Sequence, residues 1–119
     1  MSDAQPSIPG ILILRPTEQA GETIRLVRQH GWHAIHFPTV EIIPADPQQN
    51  TALYSSLKNF DWIIFISQNA VKHFVEQLTT PPHQMPKIAT VGIESTTAAQ
   101  KAGLKVNTQP DTTFSSEGL

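Results

Sequence analysis

Three clusters of polar residues directly follow apolar runs of the chain, and their side chains suit the binding of an anion. Arg15-Pro16-Thr17 follows the first run, Ser67-Gln68-Asn69 the second and Gly92-Ile93-Glu94-Ser95-Thr96 the third. Their hydroxyl, amide and guanidinium groups donate hydrogen bonds, and a helix that begins there adds unpaired backbone N–H groups. Arg15 could also hold a carboxylate through two parallel hydrogen bonds. We therefore expect an anionic ligand at these positions.

Each cluster also has a purely structural interpretation. Ser67 and Asn69 are ordinary capping residues, and the hydroxyl residues of the third cluster are expected to cap a helix first and bind a ligand second. Gly92 can simply relieve a tight turn, and Arg15 can pair with a nearby acid. The shared position of the clusters, each beyond a strand of one predicted sheet, favours the functional interpretation.

The three apolar runs predict strands of a parallel sheet. None of them alternates between apolar and polar residues, which is typical of central strands that are covered on both faces. A weaker strand over residues 33–37 alternates, with Ile35 and Phe37 on one face, and residues 105–106 could form another short strand. The three runs lie at residues 11–14, 62–66 and 88–91.

Four helices are predicted between these strands. Thr17 and Asn69 are the predicted N-caps of two of them, and Gly31 and Gly103 stand where a helix can end in the left-handed conformation. Alternating strands and helices favour an α/β fold with a doubly wound parallel sheet and right-handed crossovers. The helices cover residues 18–30, a segment from about Thr51, residues 71–78 and a segment from about Glu94.

The composition excludes several classes of protein. There is no cysteine, and therefore no disulfide framework, thiolate metal site or cysteine nucleophile. No apolar run approaches the roughly 20 residues that span a bilayer, and residues 1–9 lack a secretory signal. Eight Lys and Arg residues against ten Asp and Glu residues give a net charge of −2, without the basic excess of a nucleic-acid binder. We expect a cytoplasmic protein without a membrane or nucleic-acid partner.

Familiar catalytic and metal-binding motifs are also missing. No glycine-rich fingerprint or P-loop offers a seat for nucleotide phosphates, and no serine or carboxylate pair has catalytic spacing. The five histidines show no helical i, i+4 pair, and His33 and His36 point to opposite faces of a predicted strand. We therefore expect no metal site.

Two segments indicate a larger, two-domain arrangement. Residues 37–47 hold three prolines around an apolar, extended centre, which is typical of a crossover between domains. Residues 115–119 carry two hydroxyls and an acid of the kind that open a helix, yet no helix follows. The sequence is therefore expected to be truncated in mid-fold.

Five segments, in order along the chain, match the pattern of a known family. The most specific are residues 61–71, with the sequence DWIIFISQNAV, and residues 115–119, with the sequence SSEGL. With these segments the chain resembles the N-terminal half of the uroporphyrinogen-III synthases, from about Ile11 to its last residue. The other segments are residues 11–16, residues 31–44 with Pro38 and Glu41, and residues 91–92.

The resemblance implies two flavodoxin-like α/β domains joined by a two-stranded linker. Residues 1–10 would be a flexible tail, 11–37 the first βαβ unit of domain one and 38–44 the outgoing linker. Residues 45–119 would form most of domain two, and the rest of both domains would lie beyond Leu119.

The resemblance further implies a carbon–oxygen lyase of tetrapyrrole biosynthesis. Members of the family convert hydroxymethylbilane, a linear tetrapyrrole with many carboxylates, into uroporphyrinogen III. Water leaves the terminal hydroxymethyl group, and the last pyrrole ring, ring D, is inverted through a spiro intermediate, without a cofactor. The implied partners are this small-molecule substrate and the enzyme of the preceding step, while the oligomeric state stays open.

The same resemblance implies that backbone amides hold the substrate carboxylates between the two domains. The polar strand ends fit this mode, because eight Lys and Arg residues are few for a strongly anionic ligand. Catalysis would rest on positioning and electrostatic stabilisation, so no catalytic residue is assigned. The family's tyrosine proton donor would lie beyond Leu119, and Tyr54 does not match it. The expected substrate-binding residues are Arg15, Ser67, Gln68, Asn69, Gly92, Ser95, Thr96, Ser115 and Ser116.

Two other interpretations stay open at this point. The chain could be a non-catalytic flavodoxin-like binding or regulatory module, such as a decayed copy of the enzyme, or a purely structural fragment. The absent proton donor favours the module, whereas the ordered motifs favour the enzyme. The 119-residue chain alone is expected to be inactive, because most of one cleft wall would be missing.

Overall fold

The computed structural model describes residues 7–79 and 84–119, and the chain divides into two compact units. Unit 1 ends at Ile43, and unit 2 is Pro44–Leu119. Residues 1–6 of the predicted tail lie outside the described part, as does His83, whereas Gly10 belongs to a strand. No helix in the described ranges is long and apolar enough to cross a membrane.

Unit 1 is a β-α-β motif whose two strands run parallel. Strand β1, Gly10–Ile13, pairs along its length with β2, His33–His36. Helix α1, Thr17–Gln29, connects them and buries Ala20 completely. The strands and the helix predicted for this part of the chain are confirmed.

The two ends of α1 differ in how well they follow the sequence prediction. Gly31 has a φ of +75°, and its N–H donates to the Arg28 carbonyl at 2.9 Å, so the predicted glycine stop is confirmed. The predicted N-cap Thr17 is wrong, because Pro16 holds that position with a ψ of 145° and Thr17 is already helical. Proline suits this end of a helix because it has no N–H group to leave unpaired.

Unit 2 repeats the alternation around a second parallel pair. Strand β3, Trp62–Phe65, pairs with β4, Lys87–Thr90. The helices that follow these strands are α3, Gln68–Glu76, and α4, Ile93–Lys101, and they pack against each other. We label the helix that precedes β3, Pro47–Ser55, as α2.

Helix α2 begins earlier than the start predicted at about Thr51. The Asp46 side chain accepts a hydrogen bond from Gln48 N at 3.0 Å, and Pro47 occupies the first helical position. Acid followed by proline is a strong helix start, because the acid caps and the proline needs no acceptor. A short 3-10 helix, Leu57–Asn59, leads on to β3.

The core of unit 2 lies between its strand pair and its two packed helices. It consists of the buried side chains Phe65, Val71, Ile88 and Ala99. Phe74 stands edge-on to Phe65, with ring centroids 5.2 Å apart. Fully burying a Phe, Val or Ile side chain contributes about 1.5–3 kcal/mol, so these contacts fix how α3 and α4 sit on the sheet.

Two of the three apolar runs are covered on one face only, which corrects the expectation of two buried faces. Leu12 of β1 and Ile64 of β3 are 58% and 57% exposed, although Ile13 and Phe65 beside them are buried. The run at residues 88–91 is buried throughout, as predicted. At this run the returning chain adds further contacts, because Thr90 N donates to the Thr108 carbonyl at 3.1 Å and Leu104 and Val106 pack against the core that contains Ile88.

The returning segment does not form the strand predicted at residues 105–106. Thr108 makes a single parallel bridge to Ala89 instead. Asn107 Oδ1 accepts from Ile88 N at 2.8 Å, and Asn107 N donates to the Ile88 carbonyl at 2.7 Å. A side chain thus takes the place of a backbone partner, and the regular ladder does not develop.

Candidate functional site

The strand ends of unit 2 meet at one edge because β3 and β4 run parallel. At this edge Val91 N donates to the Phe65 carbonyl at 3.0 Å. Helices α3 and α4 begin just beyond, so that their first N–H groups lie at the same edge. The structure therefore brings together the predicted positions 67–69 and 92–96.

Helix α3 begins with a side-chain cap. Ser67 is extended, and its Oγ accepts from Ala70 N at 3.1 Å. The predicted cap Asn69 is wrong, because Gln68 and Asn69 already lie in the first turn, where both are half-buried. A serine cap satisfies one of the free helical N–H groups, and its hydroxyl hydrogen can still donate to a ligand.

Helix α4 begins without a side-chain cap. Gly92 holds the N-cap position in an extended conformation, with a φ of −110° and a ψ of 158°, and has no side chain to accept a hydrogen bond. The first intrahelical bond runs from Thr96 N to the Gly92 carbonyl at 3.0 Å. The N–H groups of residues 93–95 therefore have no acceptor within the helix, and we call this the open end of α4.

Ser95 and Thr96 do not cap α4, which corrects the expectation that they do. Both lie in its first turn, and they are 2% and 7% exposed. The Thr96 Oγ1 atom lies 2.6 Å from Thr90 Oγ1, 2.7 Å from Gln109 Oε1 and 3.1 Å from the Gly92 carbonyl oxygen. Thr96 thus supports the open end from inside the protein.

Thr90 and Gln109 have no place in the sequence-based site, although they complete this network. Thr90 is completely buried. A hydroxyl inside an otherwise apolar strand needs a hydrogen-bond partner, because an unpaired one costs free energy. That isolated threonine was the signal in the sequence, while the partner Gln109 could be found only in the structure.

The predicted residues Ser115 and Ser116 lie at a tight turn near the end of unit 2. A 3-10 helix covers Ser116–Gly118, with Ser115 as its N-cap. The Ser115 Oγ atom is buried and has no hydrogen-bond partner in the part of the chain that the structure describes. A Cβ atom on Gly118 would overlap the Thr113 carbonyl oxygen, so glycine is required there. Within the described ranges, no hydrogen bond joins either serine to the β3–β4 edge.

In unit 1, Arg15 follows β1 and is exposed. Its Nη1 atom donates to Thr23 Oγ1 at 3.2 Å, and its carbonyl oxygen lies 3.0 Å from His36 Nε2. Among the described residues no acid forms an ion pair with Arg15, in contrast to the alternative that it neutralises a neighbour. Its charge is therefore available to an anion.

A cavity of about 440 Å³ in unit 1 lies beside the start of α1 and was missed by the sequence analysis. Residues 16–19 and 38–42 line it. Phe37 N donates to the Ile13 carbonyl at 2.9 Å, which holds the proline-rich segment against the end of β1. Two of the lining side chains, Glu18 and Glu41, are acids, so this cavity suits hydrogen-bond donors rather than carboxylates.

Two further groups, Tyr54 and Glu22, have a shifted pKa. Burial raises the pKa of Tyr54, whose ring contacts that of Phe74 at 5.3 Å. On α1, a hydrogen bond from Arg25 lowers the pKa of the Glu22 carboxyl. Across residues 7–79 and 84–119, no cluster of three or more histidine, cysteine or acidic side chains could hold a metal ion.

Comparison with known proteins finds a matching family and relatives that are named for porphyrin biosynthesis. The profile of a protein family described as HEM4, uroporphyrinogen-III synthase HemD, matches residues 21–119. The chain is 29% identical over 109 residues to the porphyrin biosynthesis protein HemD of Ruminiclostridium josui, which covers 85% of this chain and 21% of that protein. It is also 29% identical over 106 residues to the uroporphyrinogen-III synthase of Chlorobaculum parvum. That match covers 84% of this chain and 42% of the relative. The chain thus spans less than half the length of these relatives.

Proposed function

The chain belongs to the uroporphyrinogen-III synthase family, and we propose that it contributes to an enzyme that closes hydroxymethylbilane to uroporphyrinogen III. In the proposed reaction the terminal hydroxymethyl group leaves as water, and ring D is inverted as the macrocycle closes. The enzyme would be a carbon–oxygen lyase that uses no cofactor. The family match over residues 21–119 carries the proposal, because it includes both helix starts at the β3–β4 edge.

For the fold we propose the flavodoxin-like, doubly wound arrangement of two α/β domains, with residues 38–44 as a linker. The parallel strand pair in each unit supports this proposal. The exposed outer faces of β1 and β3 support it as well, because a doubly wound sheet carries helices on both faces.

For the substrate we propose that its acetate and propionate groups meet neutral hydrogen-bond donors. Helix N-termini attract negative charge through their unpaired N–H groups and the helix dipole, which suits a chain with a net charge of −2. In this arrangement Ser95 offers its backbone N–H group, and Thr96 holds the open end of α4 from the interior. The proposed substrate-binding residues are Arg15, Ser67, Gln68, Asn69, Gly92, Ser95, Ser115 and Ser116, and Thr96 of the predicted set acts through them.

We propose that catalysis consists of positioning and charge stabilisation. Loss of water leaves a cation on the terminal carbon, and the substrate must be folded so that the spiro closure is favoured over direct closure to the type I isomer. We do not assign protonation of the leaving hydroxyl to Tyr54. Its ring packs against Phe74, and burial makes it a weaker acid.

A chimera tests the proposed function. This chain would replace the matching segment of the Chlorobaculum parvum relative, and the purified chimera would be supplied with hydroxymethylbilane. We expect mainly the type III isomer after oxidation and chromatography. The 119-residue chain alone should bind uroporphyrin III yet give the type I isomer at the uncatalysed rate.

Two outcomes of this experiment would count against the enzyme. A folded chimera that gives the type I isomer alone, while the chain still binds uroporphyrin III, would favour the non-catalytic binding module. A folded chimera that neither binds uroporphyrin III nor changes the isomer ratio would overturn the proposal that the ligand is a tetrapyrrole.

A further inference from the structure

Gln109 lies outside the substrate-binding residues proposed above, yet a buried hydroxyl fixes its amide. The Thr96 hydroxyl donates to Gln109 Oε1 at 2.7 Å, and Thr90 Oγ1 lies 2.6 Å from Thr96 Oγ1 on the inner side. The contact between Thr90 and Thr96 is buried, which shields it from competing water, and the bond from Thr96 to Gln109 is partly buried. The protein therefore sets the orientation of the Gln109 amide.

The donor end of this amide is unused. Gln109 is an exposed residue, and in the described part of the chain no atom accepts a hydrogen bond from its Nε2. An amide NH2 group carries two N–H donors without a formal charge. Because Oε1 is occupied by Thr96, the side chain presents donors to whatever binds there.

These donors belong to the same end of α4 as the open helix N-terminus. The Thr96 hydroxyl that holds Gln109 lies 3.1 Å from the carbonyl oxygen of the N-cap Gly92. The backbone N–H groups of residues 93–95 add further neutral donors, as their intrahelical acceptors are missing. A ligand group that meets both sets of donors would accept several hydrogen bonds at once, as a carboxylate can.

We propose that Gln109 binds a substrate carboxylate through its NH2 group, and that Thr90 and Thr96 are the positioning residues that aim it. The identity of the ligand as a tetrapyrrole rests on the proposed function. A donor that is already fixed loses little conformational freedom on binding, so the threonine pair contributes to affinity without touching the ligand.

The exchange Gln109→Glu tests this inference, because it keeps an oxygen for Thr96 and replaces the NH2 group by a negatively charged oxygen. The probes are uroporphyrin III and benzene hexacarboxylate, titrated into the 119-residue chain by calorimetry at neutral pH. We expect both dissociation constants to rise about 10- to 100-fold. The matched control Gln100→Glu makes the same exchange at an exposed position of α4 and should change them less than about 2-fold.

A double-substitution experiment tests the positioning role. Thr96→Val should raise the dissociation constant of uroporphyrin III about 3- to 10-fold, and Thr96→Ser, which keeps the hydroxyl, should restore most of the affinity. In a Gln109→Ala background, Thr96→Val should have a clearly smaller effect, because there is no amide left to aim and only the support of α4 is lost. An undiminished effect in that background would overturn the positioning role.

The two probes separate this inference from the proposed function. Unchanged dissociation constants in Gln109→Glu, or no binding of either probe by the unsubstituted chain, would overturn the role of Gln109. Weakened binding of benzene hexacarboxylate by Gln109→Glu, with no binding of uroporphyrin III by any variant, would support Gln109 as a carboxylate ligand and overturn the tetrapyrrole.

Discussion

Two helices begin at the same edge of unit 2, and they begin in opposite ways. Helix α3 is closed by Ser67, whose hydroxyl accepts from Ala70 N. Helix α4 starts at Gly92 and has no side-chain cap, while its own hydroxyl residue Thr96 faces inward to Thr90. Two polar segments that follow neighbouring strands therefore begin their helices in different ways.

The difference decides which backbone donors stay unpaired at this edge. A side-chain cap satisfies a helical N–H group and stabilises the helix, whereas an open end leaves that group to be satisfied by solvent or by a ligand. Helix α4 compensates through Thr96, whose hydroxyl donates to Gln109 Oε1 and lies 2.6 Å from Thr90 Oγ1 in the interior. The start of α3 is stabilised by the Ser67 cap, whereas the start of α4 is stabilised by the interior contacts of Thr96.

The largest effect is expected where α4 depends on its buried support. Thr96→Val keeps the shape of the side chain but leaves the Thr90 hydroxyl and Gln109 Oε1 without this partner. We expect the free energy of unfolding, measured in urea, to fall by about 1–3 kcal/mol. The neighbouring Thr97→Val is the matched control, since Thr97 is exposed on the same helix, and it should cost less than about 0.5 kcal/mol. Equal losses in the two variants would mean that the hydroxyl network does not support α4.

A smaller effect is expected at the cap of α3. Ser67→Ala removes the acceptor for Ala70 N and should lower the free energy of unfolding by about 1 kcal/mol. Ser67→Gly gives α3 the same N-cap residue as α4 and should cost only a few tenths of a kcal/mol, because water can reach the exposed N–H group. If both variants lost the same amount in urea unfolding, the stabilisation would not come from the cap.

The elements of both units could be predicted from the sequence because apolar runs and glycine stops are local signals. The apolar run at residues 62–66 predicted β3. Gly31 and Gly103 both have a positive φ and follow the ends of α1 and α4, as the sequence indicated. The N-caps were less accessible, since Asn69 and Ser67 have similar intrinsic preferences and the backbone conformation decides between them. The strand predicted at residues 105–106 does not form, because the Asn107 side chain accepts the hydrogen bond from Ile88 N at the edge of β4.

The site was predictable only as far as strand polarity decides it. Parallel pairing of β3 and β4 brings Ser67 and Gly92 to one edge, as the order of elements indicated. The contact between Thr96 and Gln109 joins residues 13 positions apart and depends on how the chain returns along β4, which no local pattern encodes. For the same reason the sequence alone assigned Thr96 to a cap and not to the interior.

Closing the open end of α4 would erase the difference between the two helices. An added Cβ at Gly92 would have Ser95 Oγ at 4.0 Å as its nearest neighbour, so Gly92→Ser fits without strain and supplies a cap. We expect the free energy of unfolding to rise by a few tenths of a kcal/mol, while the affinity for uroporphyrin III in calorimetry falls about 3-fold. Gly92→Ala, which adds no acceptor, is the control. Unchanged affinity in Gly92→Ser would indicate that the backbone donors of α4 do not contact the ligand.

The smallest effect concerns the charge at the open end. Glu94 is the acid in the first turn of α4, and its charge would repel the proposed carboxylate ligand from the donors of residues 93–95. Glu94→Gln should therefore raise the affinity for uroporphyrin III by about 2-fold at low salt, and the gain should shrink as ionic strength rises. Glu76→Gln at the far end of α3 removes the same charge away from the edge and should leave the affinity unchanged. An equal gain from both variants would assign the effect to net charge, and would contradict binding of the ligand at the open end of α4.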